Sequence, residues 1–307
     1  MIVFAYKRAD KLDACLRALS AADGCEDTEL YIFADGSKGA EDSDQVGQVR
    51  ALLQSFAGDN NFKKVHLKTS GHNKGLASSI ISGVTEVMGT HDRVVVVEDD
   101  LIVTRDFLDH MDRALDFYDK DEKVWSITGF SEPLGALRRY KHDVYYGYRG
   151  CSYGWGTWKD RWDTVDWDVK RYGELLADKK MQKRFNRGGN DMVGMLKDQM
   201  EGRIDSWAIR WGFEQSLQDR YTVYPRNSFV VNTGTDGSGT HGNTSIHLND
   251  NRHVYGETLR LEYLEPDRSI NRCFYKAHSD TLYKKIKRNM NLNGIRKQIK
   301  KIGNRDQ

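Results

Sequence analysis

The segment that decides the fold is Val94-Val95-Val96-Val97-Glu98-Asp99-Asp100. An uninterrupted run of valines is typical of a strand that is buried on both faces of a parallel sheet. The three acids that follow it place negative charge at the carboxyl edge of that sheet, where ligands of open α/β folds bind. Like charges this close raise one another's pKa unless a cation compensates them. A hard divalent cation would do so, because carboxylate oxygens suit Mg²⁺ and Mn²⁺.

A solvated acidic turn that caps the next helix is the alternative interpretation of the triplet, since Asp and Glu favour helix N-termini. The surrounding pattern decides between the two. Strand and helix signals alternate over the first 130 residues, which predicts an open, mostly parallel α/β sheet with helices on both faces. The predicted strands are 2–6, 30–34, 65–67, 93–97 and 124–128. The predicted helices are one in which Leu12, Cys15, Leu16 and Leu19 repeat at helical spacing, one at 76–88, and one that Thr104 caps, whose apolar face carries Phe107, Leu108, Met111, Leu115 and Tyr118. Further along, 205–219 is predicted to be a helix and 221–224 a strand ended by Pro225.

Further polar residues lie where a nucleotide would contact this edge. Asp35 follows a neighbouring predicted strand, and we expect it to accept hydrogen bonds from a ligand such as a uracil ring. His72 and Lys74 open the predicted helix 76–88 and offer positive charge and N-terminal amides to a phosphate. Taken alone, Asp35 is equally consistent with a simple turn, and Lys74 is equally consistent with a solvated surface residue that binds no ligand.

The segment Val94 to Phe107 (VVVVEDDLIVTRDF), continuing to Trp125-Ser126-Ile127, resembles glycosyltransferases of the GT-A fold. It is most similar to the N-acetylglucosaminyltransferase I type, which has an EDD triplet in place of DxD. The resemblance is specific over about residues 60–130 and extends in outline from 1 to about 245. It implies a GT-A fold and inverting transfer from a UDP-sugar, with UDP-GlcNAc among the donors.

The same resemblance implies roles for individual residues. Asp100 would be the metal ligand, with Mn²⁺ or Mg²⁺ as the cofactor. Glu98 and Asp99 would contact either the sugar and ribose side of the donor or the water molecules on the metal. Asp35 would bind the uracil. Arg8 and His72 would line the nucleotide pocket.

An inverting displacement also needs a carboxylate to take the proton of the acceptor hydroxyl. Asp205, at the start of the predicted helix 205–219, is the predicted base, similar in position to the acidic residue that opens the last helix of GT-A enzymes. Glu214 is the second candidate, and a plain N-cap is the alternative role for Asp205.

Aromatic residues and a glycine-rich loop complete the predicted site. Trp155, Trp158 and Trp162 are close together in 151–162, and flat aromatic rings suit the apolar faces of sugars. We expect Trp155 and Trp158 to contact the acceptor, with core packing as the alternative. His241 follows a glycine-rich loop, where a histidine of many GT-A enzymes joins the metal or diphosphate.

The chain is thus predicted to have a nucleotide-sugar-binding half at 1–130, an acceptor-binding and catalytic half at 131–250, and an extension at 251–307. The acceptor would be a glycan or a lipid-linked saccharide in polysaccharide biosynthesis. A nucleotidyltransferase that forms sugar nucleotides is the alternative enzyme, but Ala5-Tyr6-Lys7-Arg8 lacks the glycines of its loop. A binding protein for nucleic acid is the alternative without catalysis, and we reject nucleic acid as a partner because the acidic body carries no recognised motif.

Charge is distributed unevenly along the 307 residues, although the formal net charge is only +2. Residues 283–307 contain nine Lys and Arg and one acid, with apolar residues at helical spacing. Such a tail favours peripheral attachment to an anionic membrane, and a solvated tail is the alternative.

Two observations bear on location. No segment approaches the ~20 apolar residues of a membrane span. The four cysteines show no disulfide or metal-type spacing, and no secretory signal precedes the first strand. We therefore expect a cytoplasmic protein, peripheral on the cytoplasmic face of the membrane.

Overall fold

The computed structural model describes residues 1–234 and 252–279. Its strands are β1 Ile2–Ala5, β2 Glu29–Ala34, β3 Lys64–Thr69, β4 Arg93–Glu98, β5 Leu101–Val103, β6 Val124–Thr128, β7 Val144–Gly147, β8 Trp155–Trp158, β9 Tyr221–Pro225 and β10 Val230–Asn232. Its α-helices are α1 Ala9–Ser20, α2 Ser43–Gly58, α3 Leu76–Met88, α4 Phe107–Phe117, α5 Lys159–Trp162, α6 Tyr172–Ala177, α7 Lys179–Phe185, α8 Met192–Met200, α9 Trp207–Leu217 and α10 Arg268–Ala277. Short 3₁₀ helices cover Cys25–Asp27, Ala40–Asp42, Gly135–Arg139 and Asn186–Gly188.

In the described part of the chain, the strands form one large mixed sheet with the order β3-β2-β1-β4-β8-β6-β9-β7. β3, β2, β1 and β4 are parallel neighbours, and β6 is parallel to β9. β8 runs antiparallel between β4 and β6, and β7 runs antiparallel at the edge. The predicted mostly parallel α/β sheet is confirmed. β10 pairs with β5 in a separate two-stranded antiparallel sheet.

Alternation along β1 shows how the sheet buries both of its faces. Val3 and Ala5 pack with residues of α1, α2 and α4 on one side. Ile2 and Phe4 pack with residues of α3 and α9 on the other side. Successive side chains of a strand point to opposite faces, so each face needs its own layer of helices. Each large apolar side chain buried in these layers contributes about 1.5–3 kcal/mol.

The tryptophan-rich stretch is a central strand and not a ligand-binding loop. Trp155 and Trp158 lie on β8 and are 1% and 3% exposed. The ring of Trp155 stacks on that of Trp207 with centroids 4.8 Å apart and lies 5.8 Å from that of Trp211. Both rings therefore belong to the core, which corrects the prediction that Trp155 and Trp158 contact the acceptor.

The start of α4 also differs from the prediction. The helix begins at Phe107, with Asp106 in the N-cap position. The hydroxyl of Thr104 donates to Oδ1 of Asp106 at 2.8 Å and does not cap the helix amides. Among residues 1–234 and 252–279, no helix combines the length and the apolar content needed to cross a lipid bilayer.

A buried histidine on α4 makes the stability of this fold sensitive to pH. His110 is 3% exposed and its ring stacks on that of Phe229 with centroids 4.1 Å apart. Burial lowers the pKa of His110 to about 3, and the charges of His253 and Arg113 lower it further, whereas Asp106 opposes them. The imidazole is therefore neutral in the folded protein near pH 7.

Because the unfolded chain binds this proton near pH 6.5, the stabilisation is complete above that pH and is lost as the pH falls. We expect His110 to lower the free energy of unfolding by about 2 kcal/mol between pH 7 and pH 5. His110→Phe keeps a ring for the stack and should have a flatter dependence. Urea unfolding at the two pH values measures the difference, and parallel curves for the two proteins would contradict the assignment.

Candidate active site at the carboxyl edge of the sheet

The parallel strands β1, β2 and β4 bring three polar segments to one edge of the sheet. Their register pairs Ala5 with Ala34 and Phe4 with Glu98. Arg8, Asp35 and the triplet Glu98-Asp99-Asp100 follow these positions. Ligands of open α/β sheets bind in the crevice outside the carboxyl ends of the strands, so this edge is the candidate site.

Arg8 bridges two of the three acids. Its Nη1 lies 2.9 Å from Oδ2 of Asp100, and its Nη2 donates to Oδ1 of Asp99. The two carboxylates are largely buried, at 4% exposure for Asp99 and 9% for Asp100. Arg8, predicted to line the nucleotide pocket, is thus placed directly on the acids. One guanidinium compensates only part of the charge of three carboxylates.

Burial, together with this excess of negative charge, raises the pKa values of two of the acids. Loss of hydration raises the pKa of the Glu98 carboxyl to about 8, and the charges of Asp100 and Asp99 add to the rise while Arg8 opposes it. Burial also raises the pKa of Asp99, to about 6, against the opposing effect of Arg8. A further cation beside these acids would lower both pKa values.

Carboxylate oxygens in this arrangement fit a hard divalent cation in chemistry and charge. Within residues 1–234 and 252–279, however, no group of three or more His, Cys, Asp and Glu side chains could hold a metal ion. A metal at Asp100 would therefore need ligands from a bound diphosphate or from elsewhere in the chain. His241, predicted to be a metal ligand, lies outside the described residues.

Asp35 holds a loop in place. Its Oδ1 accepts from the amide of Gly36 at 2.9 Å, and both oxygens accept from the amide of Lys74. Its Oδ2 also accepts from the amide of Gly75 and the hydroxyl of Ser79, each at 3.2 Å. Protein donors thus contact both oxygens, and binding of a uracil ring by Asp35 stays a prediction.

Three amides at the start of α3 already have protein partners. The amides of Lys74 and Gly75 donate to Asp35, and the amide of Ala77 donates to Oδ2 of Asp205 at 3.2 Å. These amides are not free for a phosphate, contrary to the prediction. The side chains of His72 and Lys74 are exposed beside them. Any contribution of these two residues to donor binding must therefore come from the side chains.

Replacing Asp35 by Asn is expected to lower the free energy of unfolding by about 2 kcal/mol, because the amide NH₂ can accept none of the hydrogen bonds that Oδ2 accepts. Chemical denaturation measures the change. Asp59→Asn removes an exposed carboxylate and serves as the control. Equal stability of the two variants would show that the Asp35 contacts contribute little.

Asp205 lies beside the N-terminus of α3 and is exposed. It is not the N-cap of α9, because the hydroxyl of Ser206 fills that role and accepts from the amide of Ile209 at 3.4 Å. Glu214 lies about two turns further along α9, where its Oε1 accepts from Nε2 of Gln218 at 2.9 Å. Of the two candidate bases, only Asp205 is therefore near the loop that Asp35 holds.

The segment after β10 covers the acids, which the sequence did not reveal. The amide and hydroxyl of Thr233 donate to the carbonyl oxygen of Asp100 at 2.8 and 2.9 Å. Nζ of Lys11 donates to the carbonyl oxygen of Thr233 at 3.0 Å. Gly234 follows so close to the Asp100 carboxylate that a Cβ atom would collide with it. The glycine is the sequence signal for this close approach.

Tyr153 is a second residue of the site that was missed. Burial raises its pKa, and the charges of Cys151, Glu98 and Asp100 raise it further, so the phenol lies within electrostatic reach of the acids. Its ring packs edge-on against Phe130 with centroids 5.1 Å apart and remains half-buried. It precedes the buried tryptophans, which the sequence pattern favoured instead.

Three comparisons with known proteins show what this chain is similar to. The family model described as Glycosyl transferase family 2 matches residues 1–177. No curated protein sequence matches the chain. Among solved structures, TarS from S. aureus is similar with 9% sequence identity, a TM-score of 0.41, and coverage of 75% of this chain and 35% of that chain. The chain therefore spans about a third of the length of that structure.

Proposed function

We propose that this chain, which belongs to glycosyl transferase family 2, moves a sugar from a UDP-sugar to the hydroxyl of a saccharide acceptor. The chain is a glycosyltransferase of the GT-A fold, and the donor, the acceptor and the stereochemistry are the proposed elements. The observation that carries the proposal is the buried Asp99-Asp100 pair, held by the single guanidinium of Arg8 at the carboxyl edge of the sheet.

A divalent cation, Mn²⁺ or Mg²⁺, is proposed to bind at Asp100, with Glu98 and Asp99 beside it and His241 as a further ligand. The excess negative charge at the triplet supports this assignment. When bound, such a cation stabilises the charge that develops on the leaving diphosphate. The pattern Glu-Asp-Asp of the N-acetylglucosaminyltransferase I type supports UDP-GlcNAc as the first donor to test.

The proposed reaction is an inverting displacement. Asp205 accepts the proton of the acceptor hydroxyl while that oxygen attacks the anomeric carbon. The bond between the anomeric carbon and the diphosphate oxygen breaks, and UDP leaves with the electron pair. Arg8 offers positive charge near the diphosphate, and the side chains of His72 and Lys74 lie at the rim of the same crevice. The position of Asp205 against the N-terminus of α3 supports its role.

The acceptor is proposed to be a glycan or a lipid-linked saccharide. Tyr153 replaces the buried tryptophans as the proposed aromatic contact to a sugar ring, because its ring is partly accessible near the acids. The basic tail at 283–307 is proposed to attach the enzyme to a membrane that holds such an acceptor. This segment lies outside the described residues.

Thermal unfolding with UDP and Mn²⁺, followed by UDP-release assays over a panel of UDP-sugars, tests the proposed donor class. A ligand present at about 100 times its Kd raises the free energy of unfolding by about 2.7 kcal/mol. We expect stabilisation by UDP with Mn²⁺ and release of UDP from one donor. Pyrophosphate exchange with a nucleoside triphosphate, without UDP release, would instead favour the nucleotidyltransferase.

A further inference from the structure

The outer face of α10 carries a line of cations that no described carboxylate neutralises. Arg268, Arg272 and Lys276 recur every four residues and are all exposed. Residues four apart lie on the same face of a helix, so the three side chains form one stripe. In residues 1–234 and 252–279, none of the three forms an ion pair or a hydrogen bond through its side chain.

In α1 and α5, by contrast, exposed cations pair with an acid one turn away. Arg17 pairs with Asp13 at 2.8 Å, and Lys159 pairs with Asp163 at 2.6 Å. α10 contains no acid, and the N-cap residue Asp267 uses its carboxylate to accept from the amide of Ile270. Arg268 also lies in the first turn, where a cation opposes the helix dipole. Helix stabilisation therefore does not explain Arg268, and only Lys276, in the last turn, interacts favourably with the dipole.

The position of α10 links this stripe to the candidate site. Its inner face buries Ile270 and Phe274, each 1% exposed, and Nε2 of His278 lies 2.9 Å from Oε1 of Glu132 just after its C-terminal end. Glu132 follows β6, which runs in the same direction as β4 because β8 is antiparallel to both. The C-terminal end of α10 thus lies at the carboxyl edge of the sheet, as does the triplet.

We infer that the outer face of α10 docks on the anionic surface of a phospholipid bilayer. Charge complementarity supports this occupant, and Tyr275, 38% exposed on the same face, supplies the amphipathic ring that favours a membrane interface. The sequence that follows mixes Lys and Arg with apolar residues at helical spacing, as interfacial segments do, whereas a nucleic acid would not require the apolar positions. The inference does not depend on the proposed transfer reaction.

Co-sedimentation of the full-length chain with vesicles tests this face without any donor or acceptor. One set of vesicles is phosphatidylcholine alone, and in the other about a third of the lipid is phosphatidylglycerol. We expect binding to the second set only. The triple variant Arg268→Gln, Arg272→Gln, Lys276→Gln should bind it at least about tenfold more weakly.

Two further variants test whether vesicle binding depends on this face of α10, and not on the total charge of the protein or on misfolding of the variant. Lys179→Gln, Lys180→Gln, Lys183→Gln removes the same charge from the exposed side of α7 and should bind within about twofold of wild type. Arg268→Lys with Arg272→Lys keeps the charge and should bind as wild type does. Equal weakening by the α7 and α10 glutamine variants, or none by the α10 variant, would overturn the inference. The inference would also be overturned if the protein bound to a heparin column but did not bind to the anionic vesicles.

Discussion

Asp205→Asn is expected to lower kcat by about a thousandfold, because general base catalysis contributes factors of this order. The amide cannot take the proton of the acceptor hydroxyl, yet its oxygen can still accept the hydrogen bond from the amide of Ala77 that Asp205 accepts at 3.2 Å. The loop and α3 should therefore keep their places. The KM for the donor should change little, and steady-state kinetics with a saturating acceptor measures both quantities.

Glu214→Gln is the matched control, since it makes the same carboxylate-to-amide change inside α9, about two turns beyond Asp205. It should retain kcat within about threefold, because its side chain accepts from Gln218 near the C-terminal end of α9, away from the loop that Asp35 holds. A large loss in Glu214→Gln with little loss in Asp205→Asn would transfer the role of base to Glu214. A drop in thermal stability of Asp205→Asn would show that the Ala77 contact had been lost as well.

Asp100→Asn is the second change with a large expected effect, a loss of at least about a hundredfold in kcat/KM. The substitution keeps the size of the side chain and leaves Arg8 paired with Asp99. It removes one of the two acids that balance the guanidinium, and with it the charge proposed to hold a divalent cation. Stimulation of UDP release by Mn²⁺ should disappear together with the activity.

Binding of Mn²⁺ to the chain with UDP, followed by electron paramagnetic resonance, measures the metal directly. Asp92→Asn serves as the control, because Asp92 is exposed at the amino end of the same strand, away from the site. Wild-type affinity for Mn²⁺ in Asp100→Asn would place the metal elsewhere. Full activity in the presence of a chelator would contradict metal dependence itself.

The sequence predicted those parts of the fold that local patterns determine. The valine run gives β4, and the helix predicted at 76–88 has the same bounds as α3. The position of the acids after β4 also follows from the sequence, because the carboxyl edge of a parallel sheet is fixed by strand direction. Arg8 follows the neighbouring strand β1 and lies against these acids, whereas its role in a nucleotide pocket stays a prediction.

Other parts depend on contacts between residues far apart in the chain. Asp35 ends a strand as predicted, but its partners Lys74 and Gly75 come about forty residues later and could not be inferred from local pattern. β8 was missed because its burial on both faces removes the alternation that marks a strand. The helices α6, α7 and α8 are short, and tertiary packing rather than periodicity stabilises them.

The antiparallel insertion of β8 makes the two predicted halves of the domain interdependent. Val94, Val95 and Val96 pair with Thr157, Gly156 and Trp155, so a chain ending at residue 130 would leave an edge of β4 open. An open, flat, apolar edge is a template for aggregation. The nascent polypeptide must therefore emerge about sixty residues beyond β4 before that edge closes. A fragment of this chain that is meant to fold by itself must therefore extend past Trp158, so that β8 can pair with β4. The family match, which ends at residue 177, includes β8.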